Sequence, residues 1–132
     1  MKFIQNTSDI LSALGIAGKH RSPVKDFCID SRKVKQHSVF IGLTGSNEDG
    51  SKYCDDAFSN GAVFAIIKAK KDMNANKLKD NTLGVSNPEK ALAKLAQVTL
   101  KNFTGPVIGI TGSNGKTTTK NILSAGIKNS FS

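Results

Sequence analysis

The chain has 132 residues, enough for one domain or for one small domain and the start of another. Hydrophobic residues make up 38% and charged residues 22%, and no long Gly/Ser or Pro tract occurs, so the composition favours a globular protein over fibrous or disordered classes. Nineteen Lys and Arg against ten Asp and Glu give a net charge of +9, which indicates an anionic partner: nucleic acid, anionic lipid or a phosphorylated small molecule.

The N-terminal segment, the cysteines and the basic residues indicate the location of the protein and the type of its partner. No apolar run of signal-peptide length opens the chain, and no stretch of roughly 18 apolar residues occurs anywhere, so we expect a cytoplasmic location. Cys28 and Cys54 lack CxxC spacing and nearby histidines, which argues against a disulfide framework or a zinc site. The densest basic run, residues 68–80, has no aromatic side chain to stack on bases, so we interpret it as a solvated connection and favour a phosphorylated small molecule.

The first half of the chain alternates between helix and strand patterns. Residues 7–15 begin with capping residues, place apolar side chains at helical spacing and end on glycine, which predicts a short helix. Residues 24–31 and 38–45 are typical of strands separated by a basic turn. Residues 51–61 predict an amphipathic helix, and the apolar run 62–67 predicts a strand covered on both faces.

The second half continues the alternation. Residues 82–86 predict a weaker strand, and residues 87–103 predict a helix with asparagine as N-cap and proline in its first turn. Residues 104–110 predict a turn and an apolar strand, and residues 116–131 predict a helix after a glycine-rich loop. Helix-strand alternation predicts an α/β fold. The expected organisation is an N-terminal domain at 1–86, a linking helix at 87–103 and the start of a second domain at 104–132.

The segment GITGSNGKTTTK, residues 109–120, has the composition of a phosphate-binding loop. Small residues let backbone N–H groups point at an anion, Lys116 adds a positive charge, and Thr117 offers a hydroxyl to Mg²⁺. The general pattern GxxxxGK(S/T) requires glycine where this chain has Ile110, and Gly109 stands one place too early. The segment is still far more specific than an ordinary strand-to-helix turn.

This loop resembles the ATP-binding loop of the Mur ligases, the ATP-dependent amide ligases of peptidoglycan precursor synthesis, whose loop commonly reads TG(S/T)NGKT. Residues 30–62 resemble the N-terminal domain of the MurE and MurF branches, with a DSR-type turn, a strand ending near a glycine and a D-G loop before a helix. Ser113 and Lys120 favour the MurF type, which adds D-alanyl-D-alanine to UDP-N-acetylmuramoyl-tripeptide. The MurE type, which adds the third amino acid, is the alternative. The family often has histidine after the D-G pair, where this chain has Ser51.

The resemblance implies a fold, cofactors and site residues. A small N-terminal α/β substrate-binding domain would precede the first strand, phosphate loop and helix of a truncated central ATPase domain. ATP and Mg²⁺ would be the cofactors, and the γ-phosphoryl group would activate the substrate carboxylate as an acyl phosphate that an incoming amine displaces. Lys116 would be the catalytic residue at the β/γ-phosphates, and Thr117 would hold the metal. The implied ATP-binding residues are Thr111, Gly112, Ser113, Asn114, Gly115, Lys116, Thr117 and Thr118. The implied contacts to uridine diphosphate are Ser31, Arg32, Thr44, Gly45, Ser46 and Asn47.

Several alternatives remain open from the sequence. For Ser31 and Arg32, a capped turn with a structural ion pair is the competing interpretation. Because residues 104–132 hold one predicted strand and one helix, we expect the first third of a Mur ligase, monomeric and inactive alone, with the two small-molecule substrates as partners and no nucleic acid or membrane insertion. The competing classes are a stand-alone module for a UDP-sugar and a basic nucleic-acid binder.

Overall fold

The structure is a computed structural model that describes residues 4–71 and 74–130. Within these residues, five strands form one sheet in the order β1-β2-β3-β5-β4. The strands are β1 (Asp26–Cys28), β2 (Ser38–Ile41), β3 (Ala62–Lys68), β4 (Lys77–Lys79) and β5 (Thr82–Val85). The helices are α1 (Thr7–Leu14), α2 (Cys54–Ser59), α3 (Pro88–Lys101) and α4 (Lys116–Ser130). The neighbouring strands are parallel except for the antiparallel pair of β4 and β5, so the predicted α/β class is confirmed.

The caps that the sequence contains set the bounds of α1 and α3. At the start of α1, the Asn6 side chain accepts a hydrogen bond from the Asp9 backbone, and the Asp9 side chain accepts one from the Asn6 backbone. Gly15 ends this helix in the left-handed conformation, with φ 71. Asn87 caps α3 by accepting from the Lys90 backbone N–H at 2.7 Å. The helices predicted at 7–15 and 87–103 are therefore confirmed, and the N-cap of α1 lies one residue before the predicted segment.

Both faces of the central strands are covered, which makes three layers. Side chains alternate along each strand, so Val39 and Ile41 of β2 face one layer and Phe40 faces the other. The first core cluster joins the sheet to α1 and α3 and contains Ile10, Leu11, Val39, Ile41, Phe64, Ile66, Leu83, Val85, Ala91 and Leu95. The second joins it to α2 and contains Val34, Phe40, Ala57, Ala62 and Ala65. The prediction that 62–67 forms a strand covered on both faces is confirmed.

The helix predicted at 51–61 is divided in the structure. A 3₁₀ turn at Gly50–Tyr53 precedes α2, which ends at Ser59. The Asp49 side chain accepts from the Ser51 backbone N–H at 2.9 Å, and the Cys54 N–H bonds to the Ser51 carbonyl, so the first turn is tighter than an α-helix. An aspartate that caps its own turn competes with the regular helix that the apolar spacing predicts.

Strand β4 corrects the interpretation of residues 68–80 as a solvated connection. Lys77–Lys79 pairs antiparallel with β5, and Leu78 lies opposite Leu83. Leu78 also packs against the first core cluster, while its two lysine neighbours are exposed. One apolar residue between two lysines is too short a pattern to predict a strand. Charged residues on an edge strand nevertheless have a function, because they prevent it from pairing with further strands. Asp72 and Met73 of this run lie outside the described residues.

The strand predicted at 104–110 is not paired in the structure. Residues 104–112 join no strand of the described sheet, and Val107 and Ile108 are 70% and 58% exposed. A strand needs a neighbour to bond its backbone groups, and residues 104–112 pair with neither edge strand of the described sheet, β1 or β4. The helix predicted at 116–131 is present as α4, with residue 131 outside the described range. No helix in the described part of the chain has the length and apolarity to cross a membrane.

We expect amide hydrogen exchange to separate these two regions. Residues 62–67 should be strongly protected, because β3 is bonded to strands on both sides and its side chains are buried. Residues 118–130 should exchange fast, because Ile122 and Ile127 of α4 are 69% and 44% exposed and most helix stability comes from packing. Exchange measured by NMR or mass spectrometry would contradict this prediction if the two segments were equally protected.

Candidate substrate and phosphate sites

The carboxyl ends of the parallel strands meet at one edge of the sheet. The turn at Asp30 follows β1, and the loop of residues 42–50 follows β2. Ligands of open α/β sheets bind in the crevice outside such ends. The residues expected near uridine diphosphate, namely Ser31, Arg32 and 44–47, lie in these two segments.

Asp30 organises the first of these segments. Its Oδ1 accepts from the Arg32 backbone N–H at 3.1 Å and from Arg32 Nε at 2.9 Å, and its Oδ2 accepts from Arg32 Nη2 at 2.9 Å. The side-chain hydrogen bond from Arg32 lowers the pKa of the Asp30 carboxyl, and the same bond raises the pKa of Arg32. The capped turn with an ion pair, which the sequence left as an alternative, is therefore present. The Arg32 side chain is 86% exposed, so it keeps further N–H groups accessible to a ligand.

A cavity of about 560 Å³ opens beside this turn. Its lining residues are Ile29, Asp30, Ser31, Arg32, Glu48, Tyr53 and Asp56. Glu48 accepts from Lys52 Nζ at 2.9 Å and from the Tyr53 hydroxyl at 2.9 Å, and the Lys52 hydrogen bond is the main cause that lowers the pKa of Glu48. The described wall thus carries one guanidinium and three carboxylates. The exposed Arg32 can bind a phosphate, and the carboxylates can accept from N–H or O–H groups of a ligand.

The loop after β2 is closed by its own backbone. The Gly45 N–H donates to the Glu48 carbonyl at 2.8 Å, and the Gly50 N–H donates to the Leu43 carbonyl at 3.0 Å. A Cβ on Gly50 would lie 2.5 Å from that same Leu43 oxygen, so only glycine allows this close approach. On the helix side, the Thr44 N–H donates to Glu89 Oε1 at 2.7 Å, which ties the loop to α3.

The structure brings only part of the expected substrate set to the cavity. Ser31 and Arg32 line it, whereas the exposed residues 44–47 do not and instead form the loop that presents Glu48. Sequence reasoning missed Glu48, Tyr53 and Asp56. Glu48 directly follows the expected loop residues, and the other two lie within the predicted helix at 51–61. Their closeness in sequence to the expected site residues is the signal that could have identified them. Ser51, where the family often has histidine, is buried and lies outside the lining of this cavity.

The phosphate loop has the backbone that its glycines predict. Gly112 and Gly115 have φ 142 and φ 77, which are unfavourable for residues with a side chain. Lys116 Nζ donates to the carbonyl oxygen of Gly112 and so folds back over the loop. A cavity of about 290 Å³ lies at the start of α4, lined by Ser113, Asn114, Gly115, Lys116, Thr117 and Thr118. Of the other two expected ATP-binding residues, Gly112 holds Lys116, and Thr111 does not line the cavity.

The loop residues fit a nucleotide phosphate. The first N–H groups of a helix have no intrahelical partner and attract anions, and α4 has no acidic residue in its first turn to compete. Among the described residues, the partner of Lys116 Nζ is the neutral Gly112 carbonyl, which a phosphate oxygen can replace with a stronger charged bond. For Mg²⁺, the loop supplies the Thr117 hydroxyl. The described residues contain no group of three or more His, Cys, Asp or Glu that could hold a metal ion.

The fold and the loop together define an α/β protein with a glycine-rich phosphate loop at a helix start, an arrangement typical of nucleotide-dependent enzymes. Residues 24–99 match the Mur ligase family, catalytic domain. This match covers more than half of the chain, and the chain belongs to the Mur ligase family.

Relatives from two branches of the family are similar to this chain. The UDP-N-acetylmuramoyl-tripeptide--D-alanyl-D-alanine ligase of Rickettsia prowazekii is 34% identical over 128 residues, which cover 97% of this chain and 28% of the relative. The UDP-N-acetylmuramoyl-L-alanyl-D-glutamate--2,6-diaminopimelate ligase of Lawsonia intracellularis is 37% identical over 98 residues, which cover 73% of this chain and 20% of the relative.

The solved structure of the MurF ligase from Thermotoga maritima in complex with ADP is also similar. It is 39% identical with a TM-score of 0.58, and the match covers 80% of this chain and 24% of that protein. This chain therefore spans between a fifth and about 28% of the length of these relatives.

Proposed function

We propose that this chain is part of an ATP-dependent amide ligase of peptidoglycan precursor synthesis that adds D-alanyl-D-alanine to UDP-N-acetylmuramoyl-tripeptide. The observation that carries the proposal is the likeness to the ADP-bound MurF ligase of Thermotoga maritima, at 39% identity over 80% of this chain. The Rickettsia prowazekii ligase named for the same reaction supports it. A cytoplasmic location, a monomeric state and the absence of nucleic-acid and membrane partners are part of this proposal.

The two parts of the chain have different proposed roles. We propose that residues 1–86 bind the UDP end of the substrate and that residues 104–132 begin the ATP-binding domain. Helix α3, within 87–103, would link them. Its first turns bury Ala91 and Leu95 in the first core cluster, while Leu100 at its other end is 57% exposed. A helix anchored at one end and free at the other suits a connection between two domains.

The phosphate loop would bind ATP through residues 111–118. Lys116 would exchange its bond to the Gly112 carbonyl for the β/γ-phosphates, and the free N–H groups at the start of α4 would hold phosphate oxygens. The Thr117 hydroxyl would be one ligand of Mg²⁺, which neutralises phosphate charge when bound. ATP supplies the phosphoryl group that makes the substrate carboxylate reactive toward an amine. We propose that the chain by itself binds nucleotide without turnover, because catalysis of phosphoryl transfer depends mainly on positioning the substrate next to the nucleotide.

Replacing Arg32 with alanine is expected to weaken binding of UDP-N-acetylmuramoyl-tripeptide. A guanidinium that meets a phosphate makes a charged hydrogen bond, and its loss should lower affinity roughly tenfold. Isothermal titration calorimetry would measure the change. Lys94→Ala, which removes a charge from the exposed face of α3, is the matched control and should leave affinity unchanged. Equal affinity of Arg32→Ala and the unaltered chain would leave Arg32 only its structural pairing with Asp30.

A MurE-type ligase is the second candidate, because the Lawsonia intracellularis relative is 37% identical over 98 residues. The two reactions differ in the peptide on the substrate, a tripeptide for the MurF type and a dipeptide for the MurE type. A ligase carrying this chain should therefore release phosphate with the tripeptide substrate and D-alanyl-D-alanine. Phosphate release with the dipeptide substrate and 2,6-diaminopimelate would favour the second candidate. Binding of UDP alone as tightly as either peptide-bearing substrate would favour a stand-alone UDP-sugar module.

A further inference from the structure

The second turn of α4 carries a lysine to which the proposed function gives no role. Lys120 follows Lys116 by four residues, which places it about 6 Å further along the same helix face. The two lysines line a cavity of about 300 Å³ together with Ile108, Ile110 and Thr117. Lys116 and Thr117 also line the cavity of about 290 Å³ that the loop encloses. The two cavities therefore adjoin through one shared wall.

The charge in this part of the chain is one-sided. Residues 90–132 contain lysines at 90, 94, 101, 116, 120 and 128 and no Asp, Glu or Arg. Among the described residues, ion pairs join Arg32 to Asp30 and Lys52 to Glu48, and none involves Lys120. Like charges four residues apart on a helix repel, and cations near a helix N-terminus oppose its dipole. An anion between the two lysines would reverse both unfavourable effects.

We propose that Lys120 contacts the terminal, γ-phosphoryl group of ATP in this second cavity. The inference rests on the proposed function, in which Lys116 and Thr117 serve the β/γ end of the nucleotide. Since these two residues form the shared wall, a phosphate that extends past them enters the cavity where Lys120 lies. The ammonium group offsets the negative charge of the group being transferred.

The geometry separates the roles of the two lysines. ADP ends at its β-phosphate, which the loop cavity accommodates, so ADP binding should depend on Lys116 and not on Lys120. ATP has one more phosphate and should depend on both. Lys120 thus makes the chain bind ATP more tightly than ADP, which favours release of ADP once the γ-phosphoryl group has left.

Calorimetry with the complete chain tests this proposal. ADP and the non-hydrolysable ATP analogue AMP-PNP would be titrated with Mg²⁺ into the unaltered chain, Lys120→Gln, Lys120→Arg and the control Lys101→Gln. Glutamine keeps the polar end without the charge, so Lys120→Gln should weaken AMP-PNP binding roughly tenfold, the lower range for a charged hydrogen bond, and ADP binding less than twofold. Lys120→Arg should retain most of the affinity, and Lys101→Gln, at the end of α3, should change neither nucleotide.

The outcomes distinguish this inference from the function on which it rests. If the unaltered chain binds both nucleotides and Lys120→Gln weakens both equally or neither, the γ-phosphoryl contact is wrong and the phosphate loop stands. If Lys116→Gln binds both nucleotides as well as the unaltered chain does, the loop is not an ATP site, and the role of Lys120 is wrong with it. Circular dichroism of each variant would show whether its helix content equals that of the unaltered chain.

Discussion

Replacing Phe64 with alanine is expected to lower the free energy of unfolding by about 3–5 kcal/mol, the usual cost of truncating a buried aromatic side chain. Phe64 is 0% exposed at the centre of β3, and its ring centroid lies 5.3 Å from that of His20. Small domains have only about 5–15 kcal/mol of stability in total, so a large share of the molecules should unfold under mild denaturant. Urea unfolding followed by far-UV circular dichroism measures the loss.

Phe27 provides the matched control for this prediction. It lies on the edge strand β1 and is 37% exposed, so the same change to alanine removes much less buried area. Phe27→Ala should therefore cost clearly less than Phe64→Ala. Similar losses from both variants would mean that the central sheet does not form the core.

The core elements were predictable because their signals are local. The run at 62–67 is apolar at every position, which reports burial on both faces without knowledge of the neighbouring strands. The ends of α1 and α3 follow from residues that bond to their own helix, such as Gly15 and Asn87. A pattern that depends only on chain neighbours can be interpreted from the sequence alone.

The elements that the sequence did not reveal depend on contacts between distant residues. Strand β4 exists because Leu78 lies opposite Leu83 and packs against the first core cluster, whereas its own sequence is mostly lysine. The cavity beside Arg32 also depends on residues distant in sequence, since the closed loop after β2 brings Glu48 to it. The strand predicted at 104–110 fails for the converse reason, because its apolar pattern needs a neighbouring strand that the described sheet does not supply.

The phosphate loop lies between these two cases. Its sequence predicts a glycine-rich loop and the helix that follows, because both are local features. The reaction proposed for it depends on groups distant in sequence, and the chain covers 24% of the length of the ADP-bound Thermotoga maritima ligase. A decisive test of Lys116 therefore needs a protein in which the other parts of the family's site are present.

In a chimaera in which this chain replaces the matching part of the Thermotoga maritima MurF ligase, Lys116→Ala is expected to abolish nearly all turnover. The ammonium group acts on charge that develops during transfer, and removing one such group typically reduces turnover about 10²- to 10³-fold. Phosphate release that requires both UDP-N-acetylmuramoyl-tripeptide and D-alanyl-D-alanine is the measurement. Lys101→Ala, an equal loss of charge at the end of α3, should leave it unchanged. The 132-residue chain alone should release no phosphate, because it spans 24% of the length of that ligase and phosphoryl transfer depends on positioning of the substrate carboxylate. Substrate-dependent release by the chain alone, lost on Lys116→Ala, would show that this part of the family's length is itself catalytic.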